Sequence, residues 1–277
     1  MNCIQLLNGV IPNVGLGVYR SASGPETYNA VYSALQLGYR HVDTAQVYGN
    51  EQDVGSAIVQ YLQDDPTITR ADIFITTKVW LNNFGYESCI KSVEESLVKL
   101  QTPYIDLVLL HAPGDSSSRA DTWRALESLQ EKGVVKDIGI SNFGIPHIEK
   151  LSKTWKVKPA VNQIELHPWL QRRDLVKYCQ DNGIILEAYS PLAKATALDD
   201  ATLVRTANSL NKTPAEVLIA WSVAKGFVTL PKSVNPTRQQ TNLDAATLLL
   251  SDDHIAALDA LDEYRTTGWD PVKDAPV

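Results

Sequence analysis

Cysteine is scarce in this chain. Its three thiols, Cys3, Cys89 and Cys179, lie far apart and form no C-x-x-C pair. An odd, scattered set is a poor disulfide framework, so reduced thiols in a cytoplasmic protein are expected. No apolar run reaches the ~18 residues of a membrane span. Residues 1–13 lack the basic start and apolar core of a secretory leader, and no membrane partner is expected. Charge of one sign is not gathered anywhere. The net charge is −7, and without a block of like charge a nucleic-acid groove is not expected. A local basic pocket for a phosphate is still compatible with an acidic protein. His41, His147, His167 and His254 have no metal-ligand spacing with one another; they read as structural or surface residues, and no metal site is expected. Familiar catalytic motifs are missing too. Gly15-Leu16-Gly17-Val18-Tyr19-Arg20 lacks the third glycine of a dinucleotide fingerprint. H-E-x-x-H, G-x-S-x-G, Tyr-x-x-x-Lys and the P-loop do not occur.

What is present is a repeating alternation. At 277 residues and 44% hydrophobic content the chain can bury a large core, and α/β barrels of this size occur as one domain. Asn8-Gly9 between short apolar runs predicts a small N-terminal hairpin. Strands are predicted at 14–17, 39–42, 73–78, 105–111, 135–141, 160–165, 184–189 and 227–230. Helices are predicted between them, at 25–37, 51–62, 86–100, 119–132, 146–153, 172–182 and 213–225. The last starts on Thr213-Pro214-Ala215-Glu216, a capping box with proline at the first helical position. The strand runs are apolar on both faces, as in a parallel sheet covered by helices. No Pro/Gly/Ser linker divides the chain, so a single domain with eight core strands is expected.

Polar residues recur at the ends of these strands. Asp43 and Tyr48 follow the second, Lys78 ends the third and His111 the fourth. Asn142 follows the fifth, Gln163 and Glu165 close the sixth, and Tyr189 closes the seventh. A (β/α)8 barrel builds its active site at the carboxyl ends of its strands, so these residues are expected at one mouth. Free tyrosine, with a pKa of about 10, is a weak acid near neutrality. A cation beside the phenol favours the phenolate. Lys78 can be that cation and Asp43 can orient it, while His111 can donate a second hydrogen bond to the same oxygen.

In order and spacing, these segments resemble the aldo-keto reductase family. Gly38-Tyr39-Arg40-His41-Val42-Asp43-Thr44-Ala45-Gln46-Val47-Tyr48-Gly49-Asn50-Glu51 is similar to its first signature, and Thr77-Lys78-Val79-Trp80 to its lysine strand. Ile138-Gly139-Ile140-Ser141-Asn142-Phe143, Asn162-Gln163-Ile164-Glu165, Ala188-Tyr189-Ser190-Pro191-Leu192 and Pro231-Lys232-Ser233 follow in family order. The short loops resemble the microbial and fungal, diketogluconate-reductase-like members. The resemblance implies a (β/α)8 TIM barrel with an N-terminal β-hairpin, and an NADP-dependent reductase of aldehydes and ketones. It implies Tyr48 as general acid, Asp43 and Lys78 as its tuning pair, and His111 as the orienting donor. NADP(H) would be held by Ser141, Asn142, Gln163, Tyr189, Ser190, Leu192, Lys232, Ser233, Arg238 and Asn242. Tyr19, Trp80, His111 and Trp269 would line the pocket for a small carbonyl substrate. Monomer is the family default. Two other readings stand beside this one: a reversible sugar-acid or polyol dehydrogenase, and a cofactor-binding regulatory protein with little turnover.

Three departures from the family pattern carry expectations of their own. Thr241 stands where a glutamate would accept from the adenine amino group. Ala112, followed by Pro113-Gly114, replaces a large residue after the histidine, so a wider pocket or a flexible 114–118 loop folded over it is expected. The loop at 190–198 is short, which implies only a partial clasp over the cofactor and faster cofactor release.

Overall fold

A computed structural model describes residues 3–277. Two short strands come first, β1 (Cys3–Gln5) and β2 (Val10–Pro12), paired antiparallel across Asn8-Gly9. This is the hairpin the Asn-Gly turn predicts. It plugs one end of the barrel, because Leu6 and Ile11 pack with Phe74, Leu107 and Val161 at the starts of later strands.

Eight parallel strands follow: β3 (Leu16–Gly17), β4 (His41–Asp43), β5 (Phe74–Val79), β6 (Ile105–Leu110), β7 (Val135–Ser141), β8 (Val161–Glu165), β9 (Ile185–Tyr189) and β10 (Val228–Leu230). They pair in sequence order. Parallel bridges Val14–Thr229 and Gly17–Lys232 join the first to the last, with Gly17 N donating to Pro231 O at 3.1 Å. The architecture is the expected (β/α)8 barrel.

Helices α1 (Pro25–Gln36), α2 (Glu51–Asp64), α3 (Tyr86–Lys99), α4 (Ser116–Glu131), α5 (Ile145–Ser152) and α6 (Arg173–Asp181) form the connections up to β9. Trp123 on α4 is fully buried in the layer between helices and barrel. The 190–227 connection holds two helices, α7 (Ala201–Ser209) and α8 (Pro214–Ala224). α8 carries the predicted capping box, with Thr213 Oγ1 and the Glu216 carboxylate each satisfying a backbone N–H at the other end of the turn. α7 was not predicted. Its polar, β-branched sequence hides the buried set Leu203, Thr206 and Ala207, and the Asp200 carboxylate caps it by accepting from Thr202 N and Leu203 N. α9 (Pro236–Asp244), α10 (Asp252–Asp259) and α11 (Pro271–Asp274) complete the chain. Among the described residues, no helix is long and apolar enough to cross a membrane.

Candidate active site

Because all eight strands run the same way, their carboxyl ends open on one mouth, opposite the hairpin. Asp43 ends β4, and Lys78 sits one residue from the end of β5. The Lys78 ammonium, 1% exposed, donates to Asp43 Oδ1 at 2.6 Å and Oδ2 at 2.8 Å, to Thr44 O at 2.9 Å, and to Tyr48 Oη at 3.3 Å. Tyr48 reaches this point from a 3₁₀ turn, Gln46–Tyr48, directly after β4. His111 follows β6; its ring lies edge-on to Tyr48, with centroids 5.7 Å apart. All four residues expected to do chemistry therefore meet.

The electrostatics refine one expectation. Burial, with the Asp43 charge adding to it, pushes the Tyr48 phenol well above its usual value. Lys78 does not reverse this, because its charge is matched by a carboxylate at shorter range. Tyr48 accordingly stands in the proton-bearing form. Burial and the Lys78 charge push His111 well below the usual imidazole value. A neutral imidazole carries one N–H, so His111 can donate one hydrogen bond to an oxygen bound beside Tyr48.

The residues expected to hold a cofactor lie on the next strand ends. Ser141 Oγ donates to Gln163 O at 2.8 Å, tying β7 to β8. Asn142, with φ at +63°, turns inward: its Nδ2 donates to His111 O and Ser141 Oγ, and its Oδ1 accepts from Tyr189 Oη at 2.8 Å. Gln163 Nε2 donates to Asp43 Oδ2 and to Glu187 Oε2, both at 2.8 Å. No protein hydrogen bond among the described residues uses Gln163 Oε1. Ser190 has φ at +48°, and Ala193, Lys194 and Ala195 follow with φ of +47°, +51° and +62°. This short run of left-handed backbone shapes the loop holding Leu192.

Lys232 and Ser233 extend β10, and Arg238, Thr241 and Asn242 ride on α9. Lys232 and Arg238 are exposed, while Ser233 and Asn242 are buried. α9 has readable start signals: Asn235 caps it by accepting from Arg238 N at 3.0 Å, and proline follows at its first position. Buried Gln239 fixes the helix, donating to Ala30 O and Ser233 O and accepting from Ser33 Oγ.

The mouth's rim is aromatic. Trp80 stands edge-on to His111 at 4.9 Å, Trp269 lies 6.4 Å from Trp80, and Tyr19 lies 5.1 Å from Tyr48. Gln46 Oε1 pins the Trp80 loop by accepting from Trp80 N and Asn83 Nδ2. Trp269 belongs to the C-terminal tail, which is anchored on both sides. Buried Arg172 pairs with Asp270 at 2.7 Å, the Glu165 carboxylate accepts from Thr267, and Lys194 donates to Thr267 O at 2.9 Å. Farther along, Arg119 and His147 hold Pro276 O and Ala275 O. A Cβ on Gly144 would lie 2.6 Å from Val272 O, so only glycine lets the tail lie so close.

The family model of the aldo/keto reductase family matches residues 13–263. The chain belongs to the aldo/keto reductase family. It is 42% identical to the 9,11-endoperoxide prostaglandin H2 reductase of Trypanosoma cruzi over 98% of this chain and 95% of that one. It is 41% identical to the glyoxal reductase of Bacillus subtilis, covering 97% and 95%. Among solved structures, an aldo-keto reductase from a Medee basin deep-sea metagenome library superposes with a TM-score of 0.92 at 35% identity, covering both chains fully. The Bombyx mori aldo-keto reductase in complex with NADP gives 0.90 at 32%, covering 96% and 94%.

Thr241 turns its hydroxyl back to Thr237 O. Ala112 is buried. The expected flexible loop at 114–118 is largely helix, since α4 starts at Ser116 and buried Arg119 clamps Pro113 O and Gly114 O. The 190–198 loop reaches the tail through Lys194. Reading the residues alone missed Gln239, Arg172, Asp270 and Glu187. Only Glu187 left a signal, as one carboxylate inside the apolar run Ile184–Ala188.

Proposed function

We propose that this chain is an NADPH-dependent reductase of small aldehydes and ketones, with Tyr48 as the general acid. The observation that carries the reading is the fully buried Lys78 ammonium shared between Asp43 and the Tyr48 hydroxyl, beside a neutral His111. A charge is placed so deep only where it is paired, and such clusters mark reactive sites.

The donor set fits a nicotinamide dinucleotide. Gln163 Oε1 is an acceptor suited to a carboxamide N–H, and Tyr189 stands on the next strand, in register with Glu165 and hydrogen-bonded to Asn142. Lys232 and Arg238, with the Ser233 hydroxyl between them in sequence, suit a 2′-phosphate, since arginine can engage phosphate bidentately. When bound, the cofactor supplies the hydride. The chain's residues do the rest. His111 and Tyr48 hold the carbonyl oxygen between two donors and so polarise it. Tyr48 passes its proton to that oxygen as negative charge builds, and Lys78 steadies the phenolate left behind. Asp43 keeps the ammonium on the phenol side of the barrel. Trp80, Trp269 and Tyr19 offer apolar walls for the carbonyl's substituents.

The test is NADPH oxidation by purified protein across glyoxal, aromatic aldehydes, α-diketones, ketolactones and sugars, with NADH and Tyr48→Phe alongside. Turnover that falls by about 10²–10⁴-fold in Tyr48→Phe, at unchanged NADPH affinity, is expected. Tight NADPH binding without turnover on any of these would favour a cofactor-binding regulatory protein instead.

A further inference from the structure

Beneath the site lies a second carboxyl that the reaction described above does not use. Glu187 is in the middle of β9, paired in register with Gln163 on β8 and Val228 on β10. It is wholly buried. Its Oε2 accepts from Gln163 Nε2 at 2.8 Å, and its Oε1 has no hydrogen-bond partner among the described residues. Three titratable groups face it across the barrel: Asp43, Lys78 and His41. His41 Nε2 lies 3.9 Å from Oε1 and shares a 3.0 Å hydrogen bond with Thr76 Oγ1. It cannot serve as a counter-charge, because burial drives its pKa down to about 3. The chain has built space for this ring, since a Cβ on Gly15 would lie 2.6 Å from His41 Nδ1.

One ammonium therefore faces two carboxyl groups. An amide NH2 has two hydrogens, and Gln163 gives one to Asp43 and one to Glu187. This consumes every donor on the amide and fixes its orientation. The single group left for a ligand is the Oε1 acceptor.

We propose that Glu187 is a positioning residue: by accepting one N–H of Gln163 while Asp43 accepts the other, it locks the amide so that only its carbonyl oxygen faces a ligand, and the shared amide ties it to the Asp43–Lys78 pair. The proposal rests on the reductase reading above and extends it one layer inward.

The protonation follows from the surroundings. Burial, with the Asp43 charge adding, pushes the Glu187 carboxyl up to about 8. Below that pH it is neutral, and Lys78 answers to Asp43 alone. Above it, a second negative charge competes for the same ammonium and disfavours the phenolate that Tyr48 must become. Activity should then fall on the alkaline side for a reason that lies in β9.

The experiment compares pH profiles of kcat/KM and NADPH dissociation constants for wild type, Glu187→Gln and Glu187→Leu, using the best carbonyl substrate from the panel. The wild-type profile is expected to fall above about pH 8, and in Glu187→Gln that limb is expected to move up by at least about one pH unit. NADPH should bind about 3- to 10-fold more weakly to Glu187→Leu, the loss expected when one hydrogen bond no longer orients the amide, and as in wild type to Glu187→Gln, whose side-chain carbonyl oxygen can still accept from Gln163 Nε2. A Glu187→Gln protein whose pH profile superimposes on wild type, or a Glu187→Leu protein that binds NADPH as tightly as wild type, would overturn the proposal. Wild type that turns over nothing would instead strike the reductase reading, and the affinity comparison would still decide the amide lock. Should the variants not fold, infrared titration of wild type decides. A protonated carboxyl stretch present at pH 7 and lost near pH 8 supports the assignment, and its absence at pH 7 refutes it.

Discussion

Replacing Lys78 by methionine removes the positive charge that the buried Asp43 carboxylate touches. Methionine fills nearly the same volume, so the packing around β5 changes little. What changes is the electrostatics. Asp43 loses bonds of 2.6 and 2.8 Å and keeps the neutral Gln163 donor. The Thr44 carbonyl also loses its 2.9 Å partner. Breaking one half of a buried pair costs about 3–5 kcal/mol, because the other half stays buried and uncompensated. A domain is stable by only about 5–15 kcal/mol, so Lys78→Met should lower the urea midpoint markedly, read by tryptophan fluorescence. The double variant Asp43→Asn/Lys78→Met carries no orphan charge and should recover at least half of the loss. A single variant within about 1 kcal/mol of wild type, or a double variant less stable than the single, would refute the claim that the pair is mutually dependent.

Arg238→Ala should weaken NADPH binding by about 10- to 100-fold, the worth of a charge-assisted contact, while NADH binding measured in parallel stays unchanged. Ala195→Gly should raise stability by up to about 1 kcal/mol in thermal melts, since Ala195 is exposed with φ at +62°, where a Cβ costs about that much. A fall in melting temperature would show that the loop is not strained. For Glu187, the folded pKa of about 8 lies above the unfolded value of about 4.3. The folded state therefore holds the proton longer. The associated stability is fully present below about pH 4.3 and is lost as pH rises through 8. Wild type should thus lose ground to Glu187→Gln across that window in urea titrations, and parallel curves would contradict it.

Much of the barrel was legible because its evidence is local. Alternating apolar runs, Gly38, Gly133 and Gly183 as helix stops, and the capping box at Thr213 each act within a few residues. The meeting of Asp43, Tyr48, Lys78 and His111, the four residues proposed to do the chemistry, was legible because a parallel barrel converts position at a strand end into position in space. α9 also had local signals in Asn235 and Pro236, although no helix was predicted there. The tail anchors were not legible. Arg172 and Asp270 are 98 residues apart, and neither type nor spacing marks them as partners. Gln239 looks like any surface glutamine until α1 is packed against it. The protonation of Tyr48 also escaped, since it depends on how closely Asp43 approaches Lys78 rather than on which residues are present.

The closure of the barrel has its own consequence. β3 has two residues and β10 three, and only a few backbone hydrogen bonds hold the ring shut between Val14 and Lys232. Local opening is easiest where holding contacts are few, and this seam is one such place in the ring. Lys232 and Ser233 leave the seam directly, and Tyr19 and Arg20 leave it from the other side. Any molecule seated between those two exits bridges the joint, and its binding energy adds to ring closure by mass action. Amide protons along this seam are therefore the natural reporters of occupancy, slowing in exchange as the hoop is clasped.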